Sequence, residues 1–124
     1  MKALVTGGTG FIGSSIVRAL LRDGHDVRAL VREGSDTRNL AGLNIERVTG
    51  DITDPKSLSA AMSGCTHVFH AAALYSFWVT LPGLIERVNV GGTRNVLQAA
   101  LDARIERVVY TSSVAALAVP SRDR

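Results

Sequence analysis

Short apolar runs alternate along the whole chain with segments in which apolar residues recur at helical spacing. Each run is rich in Val, Ile, Leu or Ala and is too short for a typical helix, so it predicts a buried strand. The five predicted strands cover 2–6, 26–32, 45–50, 67–73 and 107–113, and the principal helices cover 11–22, 55–64 and about 83–103. This alternation predicts an α/β fold with a parallel sheet and helices on both faces.

Helix-ending and helix-starting residues support these boundaries. Asp23-Gly24 ends the first helix with a C-terminal glycine, and Asp54-Pro55 begins the second with an N-cap and a proline in the first turn. Gly91-Gly92 weakens the long helix by about 1 kcal/mol per glycine relative to alanine. We therefore expect the pair to pack closely against the sheet.

Three glycines, Gly7, Gly10 and Gly13, lie in the first strand-to-helix turn. Gly7 permits a tight turn, Gly10 lets the backbone approach a phosphate, and Gly13 lets the helix pack against the sheet. The N–H groups from Gly10 to Ile12 are expected to be free and, with the helix dipole, to hold an anion. We predict a pyrophosphate site, the alternative being a glycine-rich turn without a ligand. Ser14 stands where a P-loop needs lysine, which argues against a nucleotide triphosphatase.

Composition narrows the class of protein. The 124 residues are 46% hydrophobic and 20% charged, as expected for one compact globular domain. The net charge of +3 comes from scattered arginines, so we predict no nucleic-acid partner. No apolar run approaches the ~20 residues of a membrane span, and there is no signal-peptide pattern, so we expect a cytoplasmic protein without a membrane partner. The lone Cys65 predicts a buried structural thiol and no metal site.

Five ordered motifs, "TGGTGFIG", "GDITD", "HAAA", "VNVGGTRNVLQAA" and "RVVYTSS", resemble the extended short-chain dehydrogenase/reductases. The likeness is nearest to the NAD(P)-dependent epimerase/dehydratase and dihydroflavonol-reductase-like proteins, including hopanoid-associated sugar epimerases. It extends from Lys2 to about Leu117. The resemblance implies a Rossmann-type sheet of strand order 3-2-1-4-5 and an NAD(P)-binding domain over residues 1–124. It also implies hydride transfer involving a small molecule, such as a sugar nucleotide or a ketone.

The resemblance assigns roles to individual residues. Asp51 and Ile52 are expected to contact adenine, and Ala71, Ala72 and Ala73 to lie against the nicotinamide ribose. Asn89 is expected to maintain the long helix and a water path, and Ser113 to be the catalytic hydroxyl, with Ser112 as the alternative. Further expected cofactor neighbours are Thr9, Gly10, Phe11, Ile12 and Thr111.

Other roles remain open for several of these residues. Asp51 is alternatively a turn-forming residue, and Asn89 an ordinary polar helix position. His70 is expected to be packed rather than catalytic. Tyr75, Phe77 and Trp78 either line a substrate pocket or pack on a neighbouring element.

Arg32 at the end of the second strand favours NADP over NAD, because a guanidinium pairs with a 2′-phosphate. Arg38 is a candidate second contact. Because Glu33 is adjacent, NAD is also a possible cofactor. The alternative role for Arg32 is a solvent-exposed side chain that binds no ligand.

The Tyr-x-x-x-Lys dyad of the resembled family is missing. Tyr75 is followed four residues later by Val79, and Tyr110 by Val114. We therefore expect the N-terminal, cofactor-holding part of an enzyme, inactive alone and lacking the substrate-binding part. The alternative is a stand-alone dinucleotide-binding or sensor module. An uncovered fifth strand would favour self-association as a homo-oligomer, or poor solubility.

Overall fold

The computed structural model describes residues 1–75 and 81–117. Its centre is a five-stranded sheet of order β3-β2-β1-β4-β5 in which every neighbouring pair is parallel. The strands are β1 (Lys2–Thr6), β2 (Asp26–Val31), β3 (Glu46–Thr49), β4 (His67–His70) and β5 (Arg107–Tyr110). The predicted Rossmann-type strand order is confirmed.

Helices cover both faces of the sheet. They are α1 (Phe11–Arg22), α2 (Pro55–Met62), α3 (Leu84–Glu86) and α4 (Thr93–Asp102), with a π-helical segment (Arg87–Gly92) joining α3 to α4. Single 3₁₀ turns occupy Arg38–Leu40 and Val114–Ala116. The predicted long helix at 83–103 is therefore present, but six of its residues are π-helical.

The alternation of side chains along the central strands produces two cores. On one face, Ala3 and Val5 of β1 pack with Val17 and Leu20 of α1. The other face carries a second group, drawn from the sheet, α2 and α4: Leu4, Leu30, Leu58, Val68 and Val96. Since successive residues of a strand point to opposite faces, β1 is buried from both sides.

The predicted helix boundaries follow from local chemistry. Gly24 has a φ of 80° and ends α1, as glycine does without steric cost. The Asp54 side chain accepts a hydrogen bond from the Lys56 amide (3.1 Å) at the start of α2. The end of α2 has a capping group that sequence analysis did not identify. Buried Arg28 donates to the carbonyls of Ala61 (2.6 Å) and Ser63 (2.7 Å).

The last two strands are shorter than predicted. They end at His70 and Tyr110, so residues 71–73 and 111–113 follow the strands instead of extending them. Both segments lie at the carboxyl edge of the sheet, where parallel α/β folds bind ligands.

The structure also bears on the lone cysteine and on the length of the helices. Cys65 is buried as predicted, and burial raises the pKa of its thiol. Within residues 1–75 and 81–117, no helix is long and apolar enough to cross a bilayer.

Candidate functional site

The glycine turn after β1 is tightly packed against the segment after β4. Gly7 has a φ of 73°, and a Cβ placed on it would lie 2.6 Å from the Ala72 nitrogen. A Cβ on Gly13 would overlap the Gly7 carbonyl. Gly13 is therefore required for packing of α1 against the turn itself, and not against the sheet as expected.

The amides at the start of α1 are only partly available. The Gly10 N–H donates to the Gly7 carbonyl (3.0 Å), so the expectation that this amide is free is wrong. The tight turn needs that bond to close. First-turn amides have no intrahelical acceptor, which leaves the Phe11 and Ile12 N–H groups pointing out of the helix end. Gly10 is exposed, and Phe11 exposes 85% of its surface beside it.

A second loop holds this turn in place. The Asn39 side chain donates to the Thr9 carbonyl (2.8 Å), and Arg18 donates to the Asn39 carbonyl (3.0 Å). Thr9 thus has a structural role through its backbone. These two bonds fix the turn from the side opposite Ala72.

A first cleft of about 240 Å³ opens beside the turn, at the ends of β2 and β3. Its lining includes the predicted residues Arg32, Asp51 and Ile52, together with Arg87. Arg87 was not singled out from the sequence, because one exposed arginine on a helix has no distinguishing pattern. Two guanidinium groups and one carboxylate therefore border a cleft of mixed polar and apolar lining.

Asp51 forms a turn and also borders the first cleft. Its Oδ1 accepts from the amide and the hydroxyl of Thr53, each at 2.8 Å, which is a turn-forming arrangement. The same residue lines the first cleft, and its Oδ2 can accept a bond from a ligand.

Arg38, the candidate second contact, forms an ion pair within its own loop. Its guanidinium pairs with Asp36 (2.6 Å) within the same loop, which holds the pKa of the Asp36 carboxyl below its ordinary value. Arg38 does not line the first cleft.

A second cleft of about 290 Å³ lies at the ends of β4 and β5. It brings together most of the remaining predicted site residues: Ile12, Ala71, Ala72, Ala73, Asn89, Thr111, Ser112 and Ser113. The Ser113 oxygen accepts from the Ala115 amide (3.2 Å), which leaves its own O–H able to donate. Ala72 and Ala73 line both clefts.

Asn89 clamps the segment between the two clefts. Its amide nitrogen donates to the Leu74 carbonyl (2.9 Å), and its oxygen accepts from the Leu74 amide (2.7 Å). Because both halves of the side-chain amide are used, Asn89 positions the backbone after β4 and is more than an ordinary polar helix residue.

His70, directly before the alanines, is fully buried, as predicted. Its ring nitrogens lie 2.6 Å from the Thr6 hydroxyl and 2.9 Å from the Thr93 hydroxyl. The ring stacks on Tyr110 with centroids 5.3 Å apart. Burial lowers the pKa of His70 to about 4, so the ring is neutral at physiological pH.

The predicted substrate-pocket aromatics are only partly described. Tyr75 is exposed, whereas Phe77 and Trp78 lie outside the described residues. Within residues 1–75 and 81–117, no group of three or more His, Cys, Asp or Glu side chains is arranged to hold a metal ion.

The two clefts lie on either side of one short backbone segment and close to the start of α1. Ile12 at the start of α1 lines the second cleft, and exposed Gly10 has no side chain to block an approaching anion. The two clefts share the backbone of Ala72 and Ala73. These features define a Rossmann-type nucleotide-binding fold.

Comparison with known proteins identifies the family. A model of the NAD dependent epimerase/dehydratase family matches residues 3–123. The chain belongs to this family. A Synechocystis sp. protein provisionally named dihydroflavonol 4-reductase is 53% identical over 93% of this chain and 33% of its own length.

Two solved structures extend the comparison. The crystal structure of gox2253 is 48% identical, with a TM-score of 0.88, over 98% of this chain and 37% of its own. UDP-glucose 4-epimerase of Thermus thermophilus, solved in complex with NAD, is 35% identical, with a TM-score of 0.81, over 91% of this chain and 38% of its own. The chain thus spans about a third of the length of the curated relatives it matches, and 33% in the case of the Synechocystis protein.

Proposed function

We propose that this chain binds a nicotinamide dinucleotide, with NADP preferred, for an oxidoreductase or epimerase acting on a small molecule. The observation that carries the proposal is the contact between the Gly7 turn and Ala72, the residue shared by both clefts. It supports a single ligand whose pyrophosphate lies at the turn and whose two ends occupy the two clefts.

The first cleft is proposed to hold the adenosine half. The Asp51 carboxylate accepts from the adenine amino group, and Ile52 supplies an apolar surface. Arg32 pairs with a 2′-phosphate, since bidentate guanidinium–phosphate pairs are strong and specific. Among the described residues, neither Arg32 nor Arg87 has a carboxylate partner, so both guanidinium groups are available to an anion.

The second cleft is proposed to hold the nicotinamide half. A bound nicotinamide would supply hydride transfer there. The small side chains of Ala71, Ala72 and Ala73 leave room for the ribose. The Ser113 hydroxyl donates a hydrogen bond to the reacting oxygen of the substrate and so stabilises the charge that develops there. That the related epimerase was solved in complex with NAD supports a nicotinamide dinucleotide as the ligand.

A second candidate is a binding or sensor module without turnover. The observation that favours it is the absence of any Tyr-x-x-x-Lys from the 124 residues. Without that dyad, the 124 residues lack the paired tyrosine and lysine that would exchange the proton accompanying hydride transfer.

Calorimetric titration with NADPH and NADH tests the site. We expect binding by the unaltered chain and loss of binding in Gly10→Val, whose side chain would stand where the pyrophosphate approaches. The control is Gly91→Val, at a glycine with open space around it that lines neither cleft. A folded Gly10→Val variant with unchanged affinity contradicts the proposed site.

A reductase assay separates the two candidate functions. The enzyme is supported if the 124-residue chain binds the cofactor without turnover, and if turnover appears when the chain is extended by a segment carrying the Tyr-x-x-x-Lys dyad. Turnover by the purified 124-residue chain contradicts the expectation that it is inactive alone.

A further inference from the structure

The buried imidazole of His70 joins three elements that meet at the second cleft. One ring nitrogen contacts Thr6 at the end of β1, and the other contacts Thr93 at the start of α4. One face of the ring stacks on Tyr110 at the end of β5. Thr93 and Tyr110 both line the second cleft, and neither lines the first.

The hydrogen bonds define the protonation of the network. Thr6 Oγ1 accepts a bond from the Ala72 amide (3.2 Å), so its single proton is available for His70 Nδ1 at 2.6 Å. His70 Nε2 then carries the ring proton and donates to Thr93 Oγ1 at 2.9 Å. In this order the neutral ring and the Thr6 hydroxyl have all their polar atoms hydrogen-bonded, as a buried network requires.

The chain of bonds ends on the backbone that the cofactor is proposed to touch. The Ala72 amide is held by Thr6, and Ala72 in turn packs against Gly7 with no space for a Cβ between them. A displaced Thr6 hydroxyl would release the Ala72 amide. A displaced Thr93 would alter the wall of the second cleft directly.

We infer that His70 is a positioning residue, which orients Thr6 and Thr93 so that the Ala72 backbone and the start of α4 are arranged for the nicotinamide half of the dinucleotide. The inference rests on the proposed function and deepens it. Residues at the adenosine end, Arg32 and Asp51, lie outside the network. Thr93 and Tyr110 line the second cleft and not the first, whereas Ala72 lines both, so the effect of His70 should be larger on the nicotinamide half than on the adenosine half.

Two ligands separate positioning from mere packing. NADPH occupies both clefts, whereas adenosine 2′,5′-bisphosphate carries the adenosine half alone. We expect His70→Leu, which fills space without hydrogen bonds, to weaken NADPH binding by about tenfold, the scale of a lost buried hydrogen bond. Binding of the bisphosphate should be weakened less, by no more than about twofold, since Arg32 and Asp51 lie outside the network and only Ala72 is shared.

Three further variants keep the test decisive. Thr93→Val removes one partner from a half-buried helix position and should show the same selectivity even where His70→Leu does not fold. His70→Asn retains a donor and an acceptor and should restore part of the NADPH affinity. Val68→Ala, at a fully buried position of the same strand, should lower the melting temperature without a selective change in binding.

The outcomes are distinguishable. Equal weakening of both ligands in His70→Leu and Thr93→Val, or no weakening in either, overturns the positioning role while leaving the proposed function intact. Failure of the unaltered, folded chain to bind either ligand overturns the proposed function, and this inference with it.

Discussion

The two arginines considered as contacts for a 2′-phosphate, Arg32 and Arg38, differ in whether the protein already pairs them with a carboxylate. Arg38 forms a bidentate contact with Asp36, through its Nε to Oδ1 at 3.0 Å and a terminal nitrogen to Oδ2 at 2.6 Å. Within residues 1–75 and 81–117, no carboxylate pairs with Arg32, which borders the first cleft. A cation that is not neutralised by the protein is the better candidate for an anionic ligand group.

Arg32→Asp should reverse the cofactor preference from NADPH to NADH. The lost charge-assisted pair corresponds to about 1.5–3 kcal/mol, or roughly ten- to hundredfold in affinity, less the part that solvent screens. Titration calorimetry with both cofactors measures the ratio. Arg38→Asp is the matched control and should change the ratio less, because Arg38 is bound to Asp36. Equal affinity of the unaltered chain for the two cofactors contradicts the role of Arg32.

His70 should make the fold sensitive to mild acid. Burial lowers its pKa from 6.5 to about 4, so the unfolded chain takes up a proton at a pH where the folded chain does not. The free energy of unfolding should therefore fall as the pH drops from about 6.5 to about 4, and at about 1.4 kcal/mol per pKa unit the loss approaches about 3 kcal/mol.

Urea unfolding of the unaltered chain and of His70→Asn, between pH 7.5 and 4.5, measures this loss. The Asn variant should lack it, whereas His67→Gln, a half-buried histidine of the same strand, should retain it. Glu46 also has a lowered pKa, because it accepts hydrogen bonds from Lys2 and then Arg28. The stability that these bonds contribute is lost only when the pH falls below 4.5, the ordinary pKa of the carboxyl. An unchanged pH profile in His70→Asn would contradict the assignment.

At the scale of elements, the long helix beside the two clefts is π-helical, not α-helical, over Arg87–Gly92, the part that borders them. The π-helical segment contains Asn89, whose side chain holds Leu74, and ends at Gly92, which packs on Ile52. A π-helical turn inserted in an α-helix is uncommon and often occurs at functional sites. Here it combines a clamp on the backbone after β4 with a close approach to the first cleft.

The two neighbouring glycines of this segment should respond oppositely to alanine. A Cβ on Gly92 would lie 2.5 Å from the Ile52 Cδ1 and 2.7 Å from its Cγ1, whereas a Cβ on Gly91 meets nothing within 4 Å. Gly92→Ala should cost about 1–3 kcal/mol through overpacking and displace Ile52 in the first cleft. Gly91→Ala should be neutral or stabilise by up to about 1 kcal/mol. Chemical denaturation measures both, and equal effects would contradict the packing described.

Sequence patterns predicted the sheet because its determinants are local. The run "KALVT", the glycine turn and the Asp54-Pro55 helix start each act within a few residues. The network of His70 could not be predicted, since Thr6 and Thr93 lie 64 and 23 residues from it in sequence. The π-helical segment could not be predicted either, because the spacing of apolar residues there does not differ from that of an α-helix. The bond that occupies the Gly10 amide depends on the exact turn geometry and not on residue type.

At the scale of the whole molecule, the two edges of the sheet are protected differently. Edge strand β3 exposes Glu46, Arg47 and Thr49, and such polar side chains discourage pairing with another chain. Edge strand β5 exposes Val109 (42%) and Tyr110 (48%). Beside it, a groove of about 500 Å³ is bordered by Tyr110 and by Val90, Leu97 and Leu101 of the long helix.

The β5 edge should therefore make the 124-residue chain self-associate. Leu101 exposes 73% of its surface at this groove, so Leu101→Glu should place a charge on the association surface and shift the chain toward monomer. Light scattering across a concentration series measures the mass of each variant. Leu81→Glu is the matched control, because Leu81 exposes 60% of its surface but does not border the groove. A concentration-independent monomer for the unaltered chain would contradict association through this edge, and an equal effect of both variants would place the contact elsewhere.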